Sequence, residues 1–279
     1  MELTDSWSRL RGGDPGSVPL ARLAVLAERY ELRETRNAAA VLAATAPEEF
    51  AELCAVLDAF ALRTADLIEA GGNESRLAQR LNAEFRVRGW REGRVDTVVR
   101  SVLQVQPWAP AGERDVVERM DEVRNEGYKV DNVKGRVALD VEWNAKDGNL
   151  DRDIGAYRAL HDAGLIDGAV LLTRTHDDVR ELARRLSRGA GQSDEQIRSR
   201  FSTSTTTHLG KLESRMTRGD AGGCPLLAVA ISGRCWSPDN GTEHADGAVE
   251  SAGSGSTDRP WWTPGRPAVE QPVLDGWSG

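Results

Sequence analysis

Residues 131–146 read DNVKGRVALDVEWNAK, and the alternation within this stretch decides the fold. From Arg136 to Asn144 the parity is strict. Val137, Leu139, Val141 and Trp143 fall on one side, Ala138, Asp140, Glu142 and Asn144 on the other. A β-strand sorts side chains this way because successive residues point to opposite faces. Lys134-Gly135 interrupts the pattern where a tight turn fits, so residues 128–144 are expected to form a hairpin.

An acidic row on one face of such a strand demands a reason. Asp140 and Glu142 stand two residues apart, about 6 to 7 Å along the backbone. Like charges at that spacing repel unless a cation lies between them. Asp131, on the other limb of the hairpin, can fold back to the same face. Three oxygen donors so placed suit Mg²⁺, which takes one or two carboxylates and keeps waters or phosphate oxygens. The parity also runs on through Asn144 and Lys146, and a cation ending an acidic row can orient a water or neutralise a phosphate. The plainer reading is a solvated strand face with ordinary acids. Against it stands the rest of the domain, which implies a covered sheet.

On the C-terminal side, a helix is expected from Asp151-Arg152-Asp153 to Gly164, with acids at its positive end. IDGAVLLT (166–173) reads as a short apolar strand, DDVRELARRLSRG (177–189) as an amphipathic helix and CPLLAVAIS (224–232) as a last buried strand. Between them FSTSTTTHLGKL (201–212) is a polar loop rich in hydroxyls. Before the hairpin, residues 20–125 read as mainly helical: LARLAVLAERY, RNAAAVLAATA, PEEFAELCAVLDAFALRTADLIEA and SRLAQRLNAEFRVRG carry apolar residues at three and four spacing. Residues 1–19 are expected to be flexible, and 237–279 read as a low-complexity, disordered tail. Strand and helix alternation through residues 20–236 predicts one α/β domain, a mixed β-sheet flanked by helices with a helical N-terminal region.

Bulk properties constrain the function less than they first suggest. The 279 residues carry a net charge of −8, which argues against a polyanionic partner. Seven acids and two arginines follow Ser237, a net −5 that leaves −3 for the remainder, and local fields decide where a polyanion docks. No run of 18 apolar residues is present, so no membrane span is expected. A basic and apolar leader is missing from MELTDSWSRLRGG, and the three cysteines Cys54, Cys224 and Cys235 have no metal or disulfide spacing. A reducing, cytoplasmic setting follows as the expectation. Trp90, Trp143 and Cys224 read as core residues.

The wider string VDNVKGRVALDVEWNAKDGNLDRDI (130–154) resembles the BglII/BstYI family of type II restriction endonucleases, within the PD-(D/E)XK nuclease superfamily. STTTHLGKLESR, GGCPLLAVAI, RNAAAVLAATAPEEF, GGNES and LNAEFRVRGWREGR are similar to family text as well. The resemblance implies a homodimeric enzyme that hydrolyses double-stranded DNA with Mg²⁺, Mn²⁺ substituting. A GATC-core site, 5′-phosphate ends and a cognate DNA methyltransferase in the same system come with it. It makes Asp131 the first metal-binding acid and Asp140 the second. Glu142 falls where the family often has Gln and most of the superfamily has Lys; as Glu it can bind a second cation or act as a base. A second register pairs Glu142 with Asn144 and leaves Asp140 auxiliary, but only the first keeps the nine-residue interval from Asp131. Asn144 and Lys146 are auxiliary candidates, as are Glu118 and Glu122, expected on a helix before the hairpin. Thr205, Thr206, Thr207, His208, Lys211, Arg215 and Arg152 are the candidate DNA contacts, since hydroxyls and guanidinium groups suit phosphates and guanine edges. Asn149, Asp151 and Asp153 are candidates for DNA contact or helix capping. Two other classes fit the same residues: a DNA-binding protein that has lost cleavage, and a structure-specific repair nuclease.

Overall fold

A computed structural model describes residues 1–8, 18–69, 75–200 and 206–238. Its centre is a six-stranded mixed sheet in the order β1-β6-β5-β4-β3-β2. The strands are β1 (Tyr30–Thr35), β2 (Arg91–Val105), β3 (Val117–Lys134), β4 (Val137–Val141), β5 (Gly168–Arg174) and β6 (Leu226–Ile231). β4, β5 and β6 run parallel, while β1, β3 and β2 join antiparallel at the two edges. Parallel neighbours need a crossover connection, and helix α6 (Gly148–Asp162) supplies it between β4 and β5. The expected hairpin forms, with Gly135 at φ 52° in its turn.

Both faces of the sheet are covered. On one, Val137, Leu139, Val141 and Trp143 pack with α1 (Val18–Leu26), α2 (Ala38–Thr45), α3 (Pro47–Ala59), α4 (Thr64–Ile68), α5 (Arg76–Val87) and α7 (Asp177–Gly189), which α8 (Asp194–Arg200) follows in the chain. On the other, Ala138, Leu171 and Ala228 meet Leu150, Ile154 and Tyr157 of α6 and Leu212 and Met216 of α9 (Leu209–Arg218). Each fully buried Leu or Val here contributes about 1.5 to 3 kcal/mol. The acids of β4 therefore face a packed helix rather than water. Trp90, Trp143 and Cys224 are buried, as their sequence context indicates.

Several expectations are corrected. Tyr30 to Thr35 is a strand, not the end of a helix: its outer residues pair with β6, Tyr30 opposite Ile231, which completes the sheet edge. Residues 91–125, expected to be mainly helical, belong instead to β2 and the first half of β3, with one 3-10 turn at Ala109–Ala111 between them. VDTVVRSVLQV is rich in β-branched residues, which favour extended backbone, and β2 pairs with β3 from Arg91–Val133 to Val105–Val117. α6 begins at Gly148, three residues earlier than its acids indicate. Residues 1–8, expected to fray, are held on β1: Ser6 donates its amide and hydroxyl to the buried Glu34 carboxylate, and Thr4 bridges to Glu34. Residues 239–279, read as the tail, lie outside the described residues.

Candidate active site

The end of β4 carries the site. Asp140 is 3% exposed and its carboxylate is held by two donors: the Asp131 amide reaches Oδ1 at 2.7 Å, and the Tyr157 hydroxyl reaches Oδ2 at 2.5 Å. Asn132 pairs with Leu139, so Asp131 lies opposite Asp140 across the hairpin. The strand proper ends at Val141, but its ladder to β5 persists for one more residue, Glu142 N donating to Leu172 O at 2.8 Å. The Glu142 carbonyl then accepts from the hydroxyls of Thr173, at 3.1 Å, and Thr207, at 3.0 Å. Three hydrogen bonds thus fix this backbone before any side chain is counted.

The Glu142 carboxylate is 5% exposed and turns toward α6. Asn149 Nδ2 donates to its Oε2 at 3.3 Å, and Arg152 lies 3.8 Å from its Oε1. Asp153 joins it there, 1% exposed, with Oδ1 bound by Arg152 at 2.8 and 2.9 Å. In this dry corner the charge of Asp153 raises the proton affinity of Asp140 and Glu142, and a hydrogen bond between the Glu142 and Asp153 carboxyls adds to the rise at Glu142. Burial, and then the charge of Asp153, push Asp140 up to about 7 despite its two donors. The same two causes push Glu142 up to about 9, and burial raises Asp153 although Arg152 opposes it. Such displaced carboxylates are a mark of functional centres.

Sequence alone makes Asp153 a candidate only for capping or DNA contact. The signal that places it here is its spacing: Leu150, Asp153, Ile154 and Tyr157 share the buried stripe of α6, so an acid stands where an apolar residue belongs. Tyr157 gave no sequence signal beyond that stripe.

Beyond Glu142 the parity reading fails. Asn144 has φ 56°, a left-handed turn that takes the chain off the strand, and Lys146 is exposed and bridges to Thr206. Asn144 instead accepts from the buried Arg174 Nε at 2.7 Å, and Arg174 Nη2 reaches Thr206 at 3.1 Å. Glu118 and Glu122 lie on β3, paired with Gln104 and Arg100 on an exposed ribbon. Nine residues separate Glu122 from Asp131, about 30 Å of extended strand, so neither acid reaches the centre.

The hydroxyl-rich segment does come to the site. Thr207 is buried against Glu142, its amide donating to Ala145 O at 2.9 Å, and His208 stacks on His176 with ring centroids 4.5 Å apart. Burial and the neighbouring His176 and Arg174 lower His208 to about 4, so it is neutral at pH 7. Lys211 pairs with Asp147 at 3.4 Å, and Arg215 grips Asp151 at 2.7 and 2.8 Å, which ties α9 to the start of α6. Thr205 lies outside the described residues.

Among the described residues, no three Asp, Glu, His or Cys side chains stand close enough to enclose a metal ion as they are placed. Mg²⁺ does not require three, since water and phosphate oxygens complete its shell. Glu142 and Asp153 meet carboxyl to carboxyl through a hydrogen bond in that buried corner, a set of hard oxygen donors in which a cation can take the place of the shared proton.

No curated protein matches the chain. The family model "Restriction endonuclease BglII/BglIII" matches residues 30–231, from the first residue of β1 to the last of β6. The matched span takes in the whole sheet, the acidic corner and the Thr207–Arg215 segment, and the chain belongs to this BglII/BglIII restriction endonuclease family, type II enzymes that hydrolyse phosphodiester bonds of DNA.

Proposed function

We propose that this endonuclease cuts both strands of a palindrome with a GATC core, uses Mg²⁺ or in its place Mn²⁺, and leaves 5′-phosphate and 3′-hydroxyl ends. The observation that carries the reading is the burial of Asp140 and Glu142 together at the end of β4, with Asp131 opposite. Their carboxylates would hold the cation. When bound, it polarises a phosphate oxygen and lowers the pKa of a water. Tyr157 and the Asp131 amide keep Asp140 aimed, and the pinned backbone at Glu142 fixes the second acid. Thr206 and His208, with Arg152 at the rim, would meet a phosphate backbone approaching those acids. Thr207, a candidate contact by sequence, is instead fully buried and donates its hydroxyl to the Glu142 carbonyl.

Cutting both strands of a palindrome calls for a homodimer, since its two-fold axis matches that of the DNA. The β2–β3 ribbon supports that assembly. Val99, Leu103, Val105, Val117 and Val123 share one exposed face, paired as Val99–Val123 and Val105–Val117. A lone two-stranded ribbon is marginal in water. Residues 91–134 hold eight basic and nine acidic side chains, a balance that suits a second protein chain better than phosphate. All three cysteines are free, in keeping with a reducing cytoplasm. A companion methyltransferase would protect the host's own sites.

Run-off sequencing of cleaved plasmid tests the reading: discrete breaks at GATC-core sites with Mg²⁺, lost in Asp140→Ala and Glu142→Ala, are expected. Cleavage at scattered positions would overturn it. A DNA-binding protein without cleavage is the second reading, favoured by a Glu142 that is neutral at pH 7. It predicts equal DNA binding and no cutting in Mg²⁺ or Mn²⁺.

A further inference from the structure

We infer that Arg174 is a positioning residue for cleavage, a buried guanidinium that fixes where the Thr206–His208 segment stands against the acids of β4. This deepens the reading of that segment as the part that meets the phosphate backbone, and rests on it.

Arg174 closes β5 and is 1% exposed. Arginine is rarely buried so deeply unless its donors are met, because a guanidinium carries a full charge and five N–H groups in one plane. Here the acceptors come from three parts of the chain. Nε donates to Asn144 Oδ1 at 2.7 Å, Nη1 to Thr175 O at 3.1 Å and Nη2 to Thr206 Oγ1 at 3.1 Å. One rigid plane therefore joins the turn after β4, the end of β5 and the start of the hydroxyl-rich segment. Burial and the neighbouring Arg180 bring its pKa down to about 10, which leaves it charged at pH 7. So enclosed, Arg174 has no access to DNA, and its effect on the reaction passes through the groups it holds.

Those groups border the acids. Asn144 follows Glu142 by two residues, at φ 56°, and the Nε bond fixes its amide in that left-handed turn. Thr206 bridges to Lys146, and Thr207 donates its amide to Ala145 O at 2.9 Å and its hydroxyl to the Glu142 carbonyl at 3.0 Å. The contact segment and the backbone of the second acid are thus held in register by a very short ladder. Such a ladder is weak by itself, and Arg174 braces it from the β5 side. Lysine could not do the same. Its ammonium is a compact point charge on a flexible stem, whereas the planar fork grips Asn144 and Thr206 at once.

Steady-state linearisation of plasmid by the full-length protein with Mg²⁺, resolved into kcat and KM, tests this. Arg174→Lys keeps the charge and removes the fork. Its kcat is expected to fall by about a hundredfold, the loss that a misplacement of about 1 Å brings, with KM within about threefold of the parent. Thr206→Ser retains the accepting hydroxyl and should match the parent, while Thr206→Val should lose about tenfold or more in kcat. In the Arg174→Lys background Thr206→Val should cost less than about threefold further, because the bond it breaks is already gone. An equal cost of Thr206→Val in both backgrounds would overturn the role of Arg174. So would an Arg174→Lys protein that cleaves like the parent, or one that no longer melts cooperatively, since the guanidinium would then serve the fold alone. Filter binding of plasmid in EDTA tests the underlying reading separately. Parent-like binding by Thr206→Ala with His208→Ala would sink the segment as a phosphate contact, while the cleavage rates alone decide whether Arg174 acts through Thr206.

Discussion

Removing one hydroxyl group from the acidic corner has a calculable consequence. Tyr157→Phe keeps the ring that fills the α6 side of the core and deletes the 2.5 Å hydrogen bond to Asp140 Oδ2. A hydrogen bond to a charged partner is worth about 1.5 to 3 kcal/mol. Because it favours the ionised carboxylate, its loss raises the proton affinity of Asp140 by about one to two units, at about 1.4 kcal/mol per unit. In the parent Asp140 lies at about 7, half ionised at neutrality. The variant would then be ionised to roughly one part in ten to one in a hundred at pH 7, by the same conversion. Plasmid linearisation measured from pH 6 to pH 10 should show the acid limb displaced to higher pH by one to two units, with activity recovered at the alkaline end. Thermal unfolding at pH 5, where the carboxylate is protonated in both proteins, should differ by less than about 1 kcal/mol. An unmoved acid limb, with the variant folded, would refute the assignment of Tyr157 as the group that keeps Asp140 ionised.

Cation-free protein should lose stability as pH rises. Asp140 and Glu142 are raised to about 7 and about 9, so their contribution is complete below about pH 4 and disappears as pH climbs through those values. Melting in EDTA between pH 6 and pH 9 should fall, and Asp140→Asn should flatten the fall; a rise would contradict the burial of these acids. Glu118→Ala and Glu122→Ala, on the exposed ribbon, should leave cleavage intact and change stability by less than about 0.5 kcal/mol, as plasmid assays and melting will show. Asn144→Ala forces a non-glycine, non-asparagine residue into φ 56° and strips Arg174 of an acceptor, so a loss of about 2 kcal/mol in urea unfolding is expected. Val99→Asp with Leu103→Asp should convert a dimer to monomer in sedimentation while the monomer stays folded, because both side chains face water in the single chain.

Residues 137–141 announced themselves. Period-two alternation is a local property of extended backbone, so Val137, Leu139 and Val141 on one face and Asp140 on the other could be read without a fold. The apolar runs that became β5 and β6, and the glycine at the hairpin turn, were legible for the same reason. Residues 91–125 were not, although their valines are as telling as any, because a ribbon lacking a core on either face has no burial to explain its pattern. Membership of the active site was decided elsewhere. Asp153 is thirteen positions from Asp140 in the chain and belongs with it only because α6 crosses back over β4 and turns that acid inward. Asn144 and Lys146, in phase with Asp140 by parity, leave the row because a single left-handed residue redirects the backbone. Sequence by itself determined which residues could carry the charge and which family the chain resembles. Tertiary structure alone decided which of those charges are dry, since burial depends on what packs against a residue and not on its neighbours along the chain.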